Sequence, residues 1–358
     1  MRVLLIKTSS LGDVIHTLPA LTDATRAIPG IQFDWVVEEG FAEIPTWHPA
    51  VAGVIPVAIR RWRKNLWQTF KSGQWRQFKQ RLRDTRYDLV IDAQGLLKSA
   101  WLTRYVKAPI AGLDKDSVRE PLAARFYDRT YPVARGQHAV ERTRQLFAQT
   151  LGYPLPEGVG DYSLDRSRLQ GVERGAEDAA PFVVFLHGTT WDTKHWPELY
   201  WRQLAERMVA QGLEVRLPWG NPAEKARAER IAEGLDKAIV LPKLNLAGIA
   251  RELAGAQGCV AVDTGLGHLA AALDVPTLSL YGPTNPGLSG AYGKSQVHLA
   301  GDYPACAPCL QKKCTYRPTA EDQRQVDTER EWPMCFTRLN PERVASQLGS
   351  LLLAKEHP

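Results

Sequence analysis

The sequence predicts an α/β protein built from two doubly wound domains, and three observations support this. Short, wholly apolar segments alternate with helix-like segments, which is typical of parallel strands covered on both faces. The same rhythm occurs twice, once in each half of the chain. Between the halves, residues 152–180 are rich in proline, glycine and charge and show no periodicity, as expected of a linker.

The first half contains four strand-like segments, and helix-like segments such as residues 16–28 separate them. The second half contains five, separated by segments such as residues 197–212. A last helix is predicted from Pro341, because proline is favoured in a first turn and an apolar face follows it. In chain order the strand-like segments read RVLLI, FDWVV, GVIPV, DLVIDA, PFVVFLH, LEVRLPW, KAIVLP, GCVAVDT and PTLSLYG.

These segments divide the chain into two Rossmann-like domains. The first is predicted to span residues 1–160 and the second residues 181–340. Residues 161–180 form the linker, and residues 341–358 form the last helix, which can pack back on the first domain. In open α/β sheets ligands bind beyond the carboxyl ends of strands, so functional residues are expected directly after strands.

The composition is that of an ordinary globular protein. Of 358 residues, 44% are hydrophobic and 23% are charged, which suffices for two cores. No segment approaches the ~20 consecutive apolar residues of a membrane span, and the strand-like N-terminus lacks the pattern of a secretory signal. These features predict a cytoplasmic protein. The net charge of +6 is a mild excess, so the placement of the charges matters more than their sum.

Four of the five cysteines lie close together late in the chain. Their spacing is C-x2-C-x4-C-x20-C, and the first pair reads CAPC, which favours zinc. The spacing is irregular for a zinc ribbon, however, so a structural metal site and reduced, packed thiols are both open, while disulfides are disfavoured in a reducing cytoplasm. Cys259 stands alone in an apolar segment and is predicted to be a core thiol. The four clustered residues are Cys306, Cys309, Cys314 and Cys335.

The first strand runs directly into the turn KTSSLGD and an amphipathic segment. A strand, a glycine turn and a helix usually predict phosphate binding, but the turn lacks G-x-G-x-x-G and no P-loop occurs in the chain. Asp13 falls at or just before the predicted helix start. It is either an N-cap stabilised by the helix dipole or a carboxylate at a strand end that serves as a general base. The residues alone leave both interpretations open.

In the second half, residues 185–198 (FLHGTTWDTKHWPE) combine a strand end with hydroxyls, a lysine and the start of a helix. Thr189, Thr190 and Lys194 suit phosphate oxygens, because hydroxyls, backbone N–H groups and an ammonium all donate to them. A helix-capping loop explains the same residues, so that alternative also stands.

Residues 260–282 place a buried strand, ending at Asp263, before TGLGH and an alanine-rich helix. The helix N-terminus offers unpaired N–H groups to a pyrophosphate. A single histidine is more often structural, but His268 follows a glycine-rich strand end, which favours function. Glu224 lies in a first helical turn after another strand, where an acid also suits the helix dipole, so it is a weaker candidate.

A basic segment runs from Arg60 to Arg86, with ten lysines or arginines and one acid, Asp84. Apolar residues recur within it at helical spacing, which predicts a helix with an apolar stripe and basic flanks. Tryptophans among cations suit a membrane interface or an anionic lipid headgroup. A solvated basic face and nucleic-acid binding are the alternatives, although no nucleic-acid motif is apparent. The stripe consists of Trp62, Leu66, Phe70, Trp75, Phe78 and Leu82.

Three stretches of the chain resemble the ADP-heptose:lipopolysaccharide heptosyltransferases, a family of GT-B glycosyltransferases. They are MRVLLIKTSSLGDVIHTLPAL, TKHWPE and DTGLGHLAAALDVPTLSLYGPTNP. The resemblance covers essentially the whole chain, and the wording of the first stretch is similar to the type I members rather than type II. Residues 306–335 look longer than is usual for type I, so the resemblance assigns the cysteines no role.

The resemblance implies two Rossmann-like domains facing a central cleft, and an inverting enzyme of lipopolysaccharide inner-core biosynthesis. It would transfer L-glycero-D-manno-heptose from ADP-heptose to the first 3-deoxy-manno-octulosonic acid (Kdo) of Kdo2-lipid A. The alternative within the family is heptosyltransferase II, acting on a heptosylated acceptor. The implied place is the cytoplasmic face of the inner membrane, in peripheral contact with an anionic surface. No cofactor is implied. No essential cation is predicted either, because Lys194 and the helix N-terminus at residues 264–268 can stabilise the leaving ADP without a metal.

The resemblance also implies roles for individual residues. Asp13 would be the base. Donor-binding residues would be Thr189, Thr190, Lys194, Glu224, Asp263, Thr264, Gly265 and His268, and acceptor-binding residues would be Arg60, Arg61, Arg63 and Lys64. Two hypotheses from other classes compete: a non-catalytic protein that binds nucleic acid or an anionic surface, and a nicotinamide-dependent enzyme that modifies nucleotide sugars. The first leaves the glycine-rich strand ends unexplained, and the missing G-x-G-x-x-G argues against the second.

Overall fold

The computed structural model describes residues 1–165, 169 and 180–356. The chain forms two compact units, Met1–Arg168 and Leu169–Pro358. Most of the predicted linker, residues 161–180, lies outside the described residues. Its first five residues pack on the first unit, where the Asp165 N–H donates to the Trp47 carbonyl at 3.0 Å.

The first unit contains a parallel six-stranded sheet of order β3-β2-β1-β4-β5-β6. Its strands are Arg2–Ile6 (β1), Gln32–Glu38 (β2), Val51–Val57 (β3), Leu89–Asp92 (β4), Ile110–Leu113 (β5) and Arg129–Tyr131 (β6). Its helices are Leu11–Ile15 (α1), Leu18–Ala27 (α2), Glu43–Thr46 (α3), Ile59–Lys64 (α4), Leu66–Lys71 (α5), Gln74–Asp84 (α6), Leu97–Thr103 (α7) and Ala139–Leu151 (α8).

Helices cover both faces of this sheet, as wholly apolar strands require. On one face Phe33 of β2 contacts Phe147 of α8, with ring centroids 6.0 Å apart. On the other face Val36 of β2 belongs to a buried cluster that includes Phe78 and Leu82 of α6. Sequence periodicity located β1 to β4 but not β5 and β6, because these two strands are short and β6 is largely exposed.

The second unit repeats the plan, with a parallel sheet of order β12-β11-β10-β7-β8-β9. Its strands are Phe182–Leu186 (β7), Glu214–Leu217 (β8), Ala238–Val240 (β9), Gly258–Val262 (β10), Thr277–Tyr281 (β11) and Gln296–Ala300 (β12). Its helices are Glu198–Ala210 (α9), Pro222–Ala232 (α10), Leu246–Ala254 (α11), Gly265–Ala272 (α12), Pro286–Ser289 (α13), Asp322–Gln325 (α14) and Pro341–Glu356 (α15).

The last helix forms as predicted, and α15 packs against α9 and against strands β10 and β11 of its own unit. Val344 and Leu348 of α15 are fully buried members of the core of the second unit. Within the described part of the chain, no helix combines the length and the apolar character that crossing a bilayer requires.

The prediction of one basic helix is wrong, because the segment forms three short helices, α4, α5 and α6. Asn65 leaves the helical region after α4, with φ −146° and ψ 76°. Gly73 then separates α5 from α6 with a φ of +72°, a conformation that glycine adopts without steric cost. Of the stripe residues whose side chains are described, Trp62, Phe78 and Leu82 are buried and Trp75 is half-buried.

Candidate active site

Asp13 is the third residue of α1, not its N-cap, so its expected position at or before the helix start is wrong. Ser10 is the N-cap, and both its N–H and its Oγ donate to Asp13 Oδ2, at 2.7 and 2.8 Å. This is the reciprocal half of a capping box. Among the described residues no hydrogen bond reaches the other carboxylate oxygen, Oδ1. Asp13 therefore stabilises the helix terminus through Oδ2, while Oδ1 accepts no hydrogen bond from the described residues.

The loop before Asp13 is tied to the loop that follows the adjacent strand β4. Gln94 Oε1 accepts the N–H groups of Thr8 and Ser9 at 2.9 and 3.0 Å. Lys98 Nζ donates to Ser9 Oγ at 3.1 Å. Chain connections leave β1 and β4 in opposite directions across the sheet, and such a switch point is where doubly wound sheets bind ligands. The carboxylate thus lies where the fold favours a site.

A cavity of about 200 Å³ adjoins Asp13, and three cationic side chains line it: Lys7, Arg119 and Arg142. Lys7 Nζ donates to the Ala93 carbonyl at 2.9 Å. Burial lowers the pKa of Lys7, although the nearby Asp13 and Asp92 carboxylates oppose the effect. Arg142 Nε is buried and has no hydrogen-bond partner among the described residues, and burial lowers the pKa of Arg142. The cavity therefore presents concentrated positive charge beside one carboxylate.

Sequence analysis missed these three cations. Lys7 directly follows β1, so the rule that directed attention to strand ends would have found it. Arg119 and Arg142 follow no predicted strand. Only the order of β4, β5 and β6 in the sheet brings their segments to Asp13.

The four basic residues of α4 are exposed while Trp62 between them is buried. They are not equivalent. Arg61 is held by Glu39, with Nε to Oε1 at 3.0 Å and Nη2 to Oε2 at 2.9 Å, and these contacts lower the pKa of Glu39. Arg60 lies over the ring of Phe41 at 5.6 Å. The four residues are Arg60, Arg61, Arg63 and Lys64.

In the second unit, the ends of β7 and β10 bring three predicted residues together. Lys194 Nζ lies 2.7 Å from Asp263 Oδ2, and Thr189 Oγ1 donates to the Asp263 carbonyl at 3.0 Å. Thr284, which sequence analysis did not select, donates to Asp263 Oδ2 at 2.7 Å. Thr190 is exposed in the same loop as Thr189. The result is a lysine and a carboxylate that neutralise each other without a ligand.

Glu224 belongs to the same group of strand ends, which its sequence context indicated only weakly. It is the third residue of α10, capped by Asn221, and its Oε2 accepts the Gly220 N–H at 2.7 Å. A Cβ built at Gly188 would lie 2.9 Å from Glu224 Cδ. The glycine after β7 therefore allows the Glu224 carboxylate to approach the loop that carries Thr189.

Helix α12 begins directly after β10 and Asp263. Thr264 is its N-cap and Gly265 its first residue, and the Thr264 side chain makes no capping hydrogen bond among the described residues. The Gly267 N–H donates to the Thr264 carbonyl at 3.1 Å, whereas the N–H groups of Gly265 and Leu266 precede the first intrahelical bond and can donate to an external acceptor. His268 is buried one turn into the helix. This helix end offers donors to an anion beside the Lys194–Asp263 pair.

The four late cysteines line a small cavity of about 20 Å³. All five cysteines are unpaired, and the described residues contain no group of three or more side chains that could hold a metal ion. The surrounding loop contacts the strand-end loops: Thr193 Oγ1 donates to the Gln311 carbonyl at 2.6 Å, and the Leu310 N–H to the Pro283 carbonyl at 2.8 Å. The cysteine segment thus supports the loops that carry Lys194 and Thr284. Cys259 is fully buried in β10, and burial raises the pKa of its thiol.

Comparison with known proteins identifies the family to which this chain belongs. Residues 75–320 match the model for glycosyltransferase family 9 (heptosyltransferase). Lipopolysaccharide heptosyltransferase 1 of Pseudomonas aeruginosa is 75% identical over 357 residues, which cover 99% of each chain. This chain belongs to glycosyltransferase family 9.

Two further comparisons place the chain within the family. The solved structure titled "E. coli heptosyltransferase WaaC with ADP-2-deoxy-2-fluoro heptose" matches with a TM-score of 0.77 and 54% identity, covering 84% of this chain and 93% of that one. Lipopolysaccharide heptosyltransferase 2 of Escherichia coli is 23% identical, covering 99% of this chain and 100% of that protein. As a family 9 enzyme the chain is a heptosyltransferase of the GT-B class, and its sequence is far closer to type 1 members than to type 2.

Proposed function

We propose that this enzyme transfers L-glycero-D-manno-heptose from ADP-heptose to the first Kdo of Kdo2-lipid A, with inversion at the anomeric carbon. The observation that carries the proposal is the Asp13 carboxylate beside a cavity lined by Lys7, Arg119 and Arg142. An anionic sugar that must lose a hydroxyl proton needs both features, a base and positive charge. The names of its type 1 relatives support the same reaction.

Asp13 acts as the general base in this proposal. A carboxylate is a far weaker base than an alkoxide, so it accepts the proton late, as the heptose carbon becomes electrophilic. General-base help of this kind contributes roughly 10²–10⁴ in rate. The Ser10 contacts to Oδ2 fix the carboxylate and direct Oδ1 to the acceptor. The cations of the cavity bind the acceptor carboxylates and phosphates, joined by the exposed basic residues of α4.

The second unit binds the donor. The diphosphate of ADP-heptose binds to Lys194 and to the backbone N–H groups of Thr264 and Gly265. The hydroxyls of Thr189 and Thr190 donate further hydrogen bonds to it. Asp263, released from Lys194, then accepts heptose hydroxyls, and Glu224 and His268 complete the site. Negative charge develops on the leaving ADP, where fixed donors are worth most. This arrangement uses charges of the chain itself and invokes no metal ion.

The enzyme reaches its acceptor at an anionic membrane surface. Arg60, Arg63 and Lys64 are exposed next to a buried tryptophan, and clustered cations are attracted to anionic lipids by about 1 kcal/mol each. We place it at the cytoplasmic face of the inner membrane as a peripheral protein.

The deciding experiment is mass spectrometry of the product formed from purified protein, ADP-heptose and Kdo2-lipid A, compared with Asp13→Asn. Asparagine keeps an acceptor for Ser10 and removes the base, so transfer is expected to fall by roughly 10²–10⁴ while ADP-heptose binding persists. Wild-type turnover by Asp13→Asn would show that Asp13 only stabilises the helix terminus. A heptosylated acceptor run in parallel would reveal type 2 activity if it is the preferred substrate.

A further inference from the structure

The first unit contains another, larger cavity, to which the roles proposed above assign no ligand. Its volume is about 490 Å³, within the range of about 300–1,000 Å³ that is typical of ligand pockets. Its walls are almost entirely apolar, and three tryptophans, Trp62, Trp75 and Trp101, form much of them. We call it the tryptophan pocket.

Ring contacts hold these walls in place. Trp75 stacks on Trp101 with centroids 5.3 Å apart and an interplanar angle of 11°. Trp62 meets Trp75 edge-on at 5.5 Å. At the mouth, Trp101 and Leu97 remain 40% and 39% exposed. Large apolar side chains that are grouped and exposed usually indicate a binding site rather than ordinary protein surface.

The mouth of the tryptophan pocket is cationic and adjoins the loop of Asp13. Arg63 and Lys98 are among its lining residues. Lys98 Nζ also donates to Ser9 Oγ at 3.1 Å, and Ser9 precedes the N-cap of the Asp13 helix. Burial lowers the pKa of Lys98, against the opposing effect of Glu38. A ligand that enters here has an apolar part in the pocket and an anionic part near Asp13.

We propose that the tryptophan pocket receives an acyl chain of an anionic lipid, whose headgroup contacts Arg63 and Lys98. The inference rests on the proposed function, in which the acceptor is such a lipid. Charge complementarity argues for this occupant, since apolar walls with cations only at the mouth match an amphiphile with one anionic end. A nucleobase or a peptide would bury polar groups against walls that offer almost no partners, which is costly.

A binding experiment tests the pocket without relying on catalysis. Calorimetric titrations, below the micellar concentration, compare dodecyl phosphate with butyl phosphate. Dodecyl phosphate is expected to bind at least about tenfold more tightly, because each buried methylene adds favourable transfer free energy. Leu97→Trp should fill the mouth and abolish this chain-length dependence. Leu155→Trp is the matched control, since Leu155 is equally exposed at 39% and is not a lining residue of the pocket.

Equal affinities for the two phosphates in the wild type would overturn the proposal, as would equal losses in the Leu97 and Leu155 variants. Thermal unfolding verifies that each variant folds, and Trp101→Gln provides a second way to weaken the pocket. If the apolar mouth instead joins two copies of the chain, sedimentation will show a dimer that Leu97→Trp disrupts, and the lipid proposal fails.

A kinetic comparison separates this inference from the proposed function. Acylated and fully deacylated forms of the Kdo2-lipid A acceptor are compared in wild type and Leu97→Trp. The acylated form should have the lower KM in the wild type only. If both forms are turned over with equal KM, the proposed role of the pocket is wrong and the proposed function stands. If neither form is turned over, the proposed function is wrong, and the alkyl phosphate titration still tests the pocket.

Discussion

Asp13 shows at the residue scale how a structural and a chemical role can share one side chain. Its Oδ2 accepts two hydrogen bonds from Ser10, which fixes the carboxylate as a helix cap does. Sequence analysis treated cap and base as alternatives, but a carboxylate has two oxygens and the geometry allows both roles. Lys194 is similar, since its pairing with Asp263 fixes two charged groups that we propose bind the donor.

Lys194→Gln is expected to lower kcat by about 10²–10³, the usual cost of removing one group that stabilises a developing anion. The donor KM should change less than kcat, because the charge on the leaving diphosphate grows in the transition state. Steady-state kinetics measure both constants.

Lys225→Gln is the control for this charge. Lys225 is a lysine of α10 whose ion pair, with Glu229, lies on the surface, so its replacement should leave kcat unchanged. A kcat loss of similar size in both variants would show that Lys194 has no specific role.

At the scale of elements, the backbone at helix and strand ends decides which charges are available. The basic segment breaks at Asn65 and Gly73, and Trp62, Phe78 and Leu82 turn inward. The cations of the first short helix, α4, stay exposed but lie in different surroundings. The glycine after β7 likewise determines how close Glu224 can approach.

Arg63→Gln is expected to raise the acceptor KM more than Arg61→Gln does. Arg61 is already bound by Glu39 through two hydrogen bonds, so a ligand must displace that carboxylate before it gains the charge. Acceptor KM, measured at saturating donor, distinguishes the two variants. Equal effects would mean that the Arg61–Glu39 pair opens readily in solution.

Gly188→Ala is expected to raise the donor KM, because the new Cβ would lie 2.9 Å from Glu224 Cδ and must displace that carboxylate. Gly220→Ala is the milder comparison, since its Cβ would meet Glu224 Oε2 at 3.3 Å. Donor titration and thermal unfolding give affinity and stability separately. A Gly188→Ala protein that binds donor normally would exclude Glu224 from the donor site.

At the scale of the whole molecule, buried titratable groups link stability to pH. His187 follows β7 and is fully buried. Burial, and then Arg227, lower its pKa to about 3 from an ordinary value of 6.5. Between those two pH values the unfolded chain binds a proton that the folded chain excludes. The stability contributed by the neutral ring is therefore present above pH 6.5 and is lost as the pH falls towards 3.

His187→Phe is expected to reduce this acid sensitivity by up to about 1.4 kcal/mol per pH unit over that window. Denaturant unfolding of both proteins, at pH values above and below the ordinary histidine pKa, gives the two slopes. Their difference reports His187 together with its electrostatic coupling to His195. Identical slopes would show that His187 is accessible to protons in the folded state.

Much of the fold was predictable from the sequence, because strand and helix periods are local patterns. Nine of the strands lie where apolar segments predicted them, whereas β5, β6 and β12 were missed because they are short or partly exposed. The final helix also formed where its proline and apolar face predicted it.

The candidate site likewise contains residues that the sequence predicted and contacts that only the tertiary structure revealed. By itself the sequence determined two doubly wound sheets, a carboxylate after β1, and a lysine and a carboxylate after β7 and β10, because ligand-binding residues follow strand ends in this fold class. Only the tertiary structure decided that Lys7, Arg119 and Arg142 surround Asp13, that Lys194 pairs with Asp263, and that three tryptophans enclose a pocket beside Ser9. Those contacts join residues far apart in the chain, as Lys7 and Ala93 are by 86 positions. Their proximity depends on strand order, which no local pattern encodes.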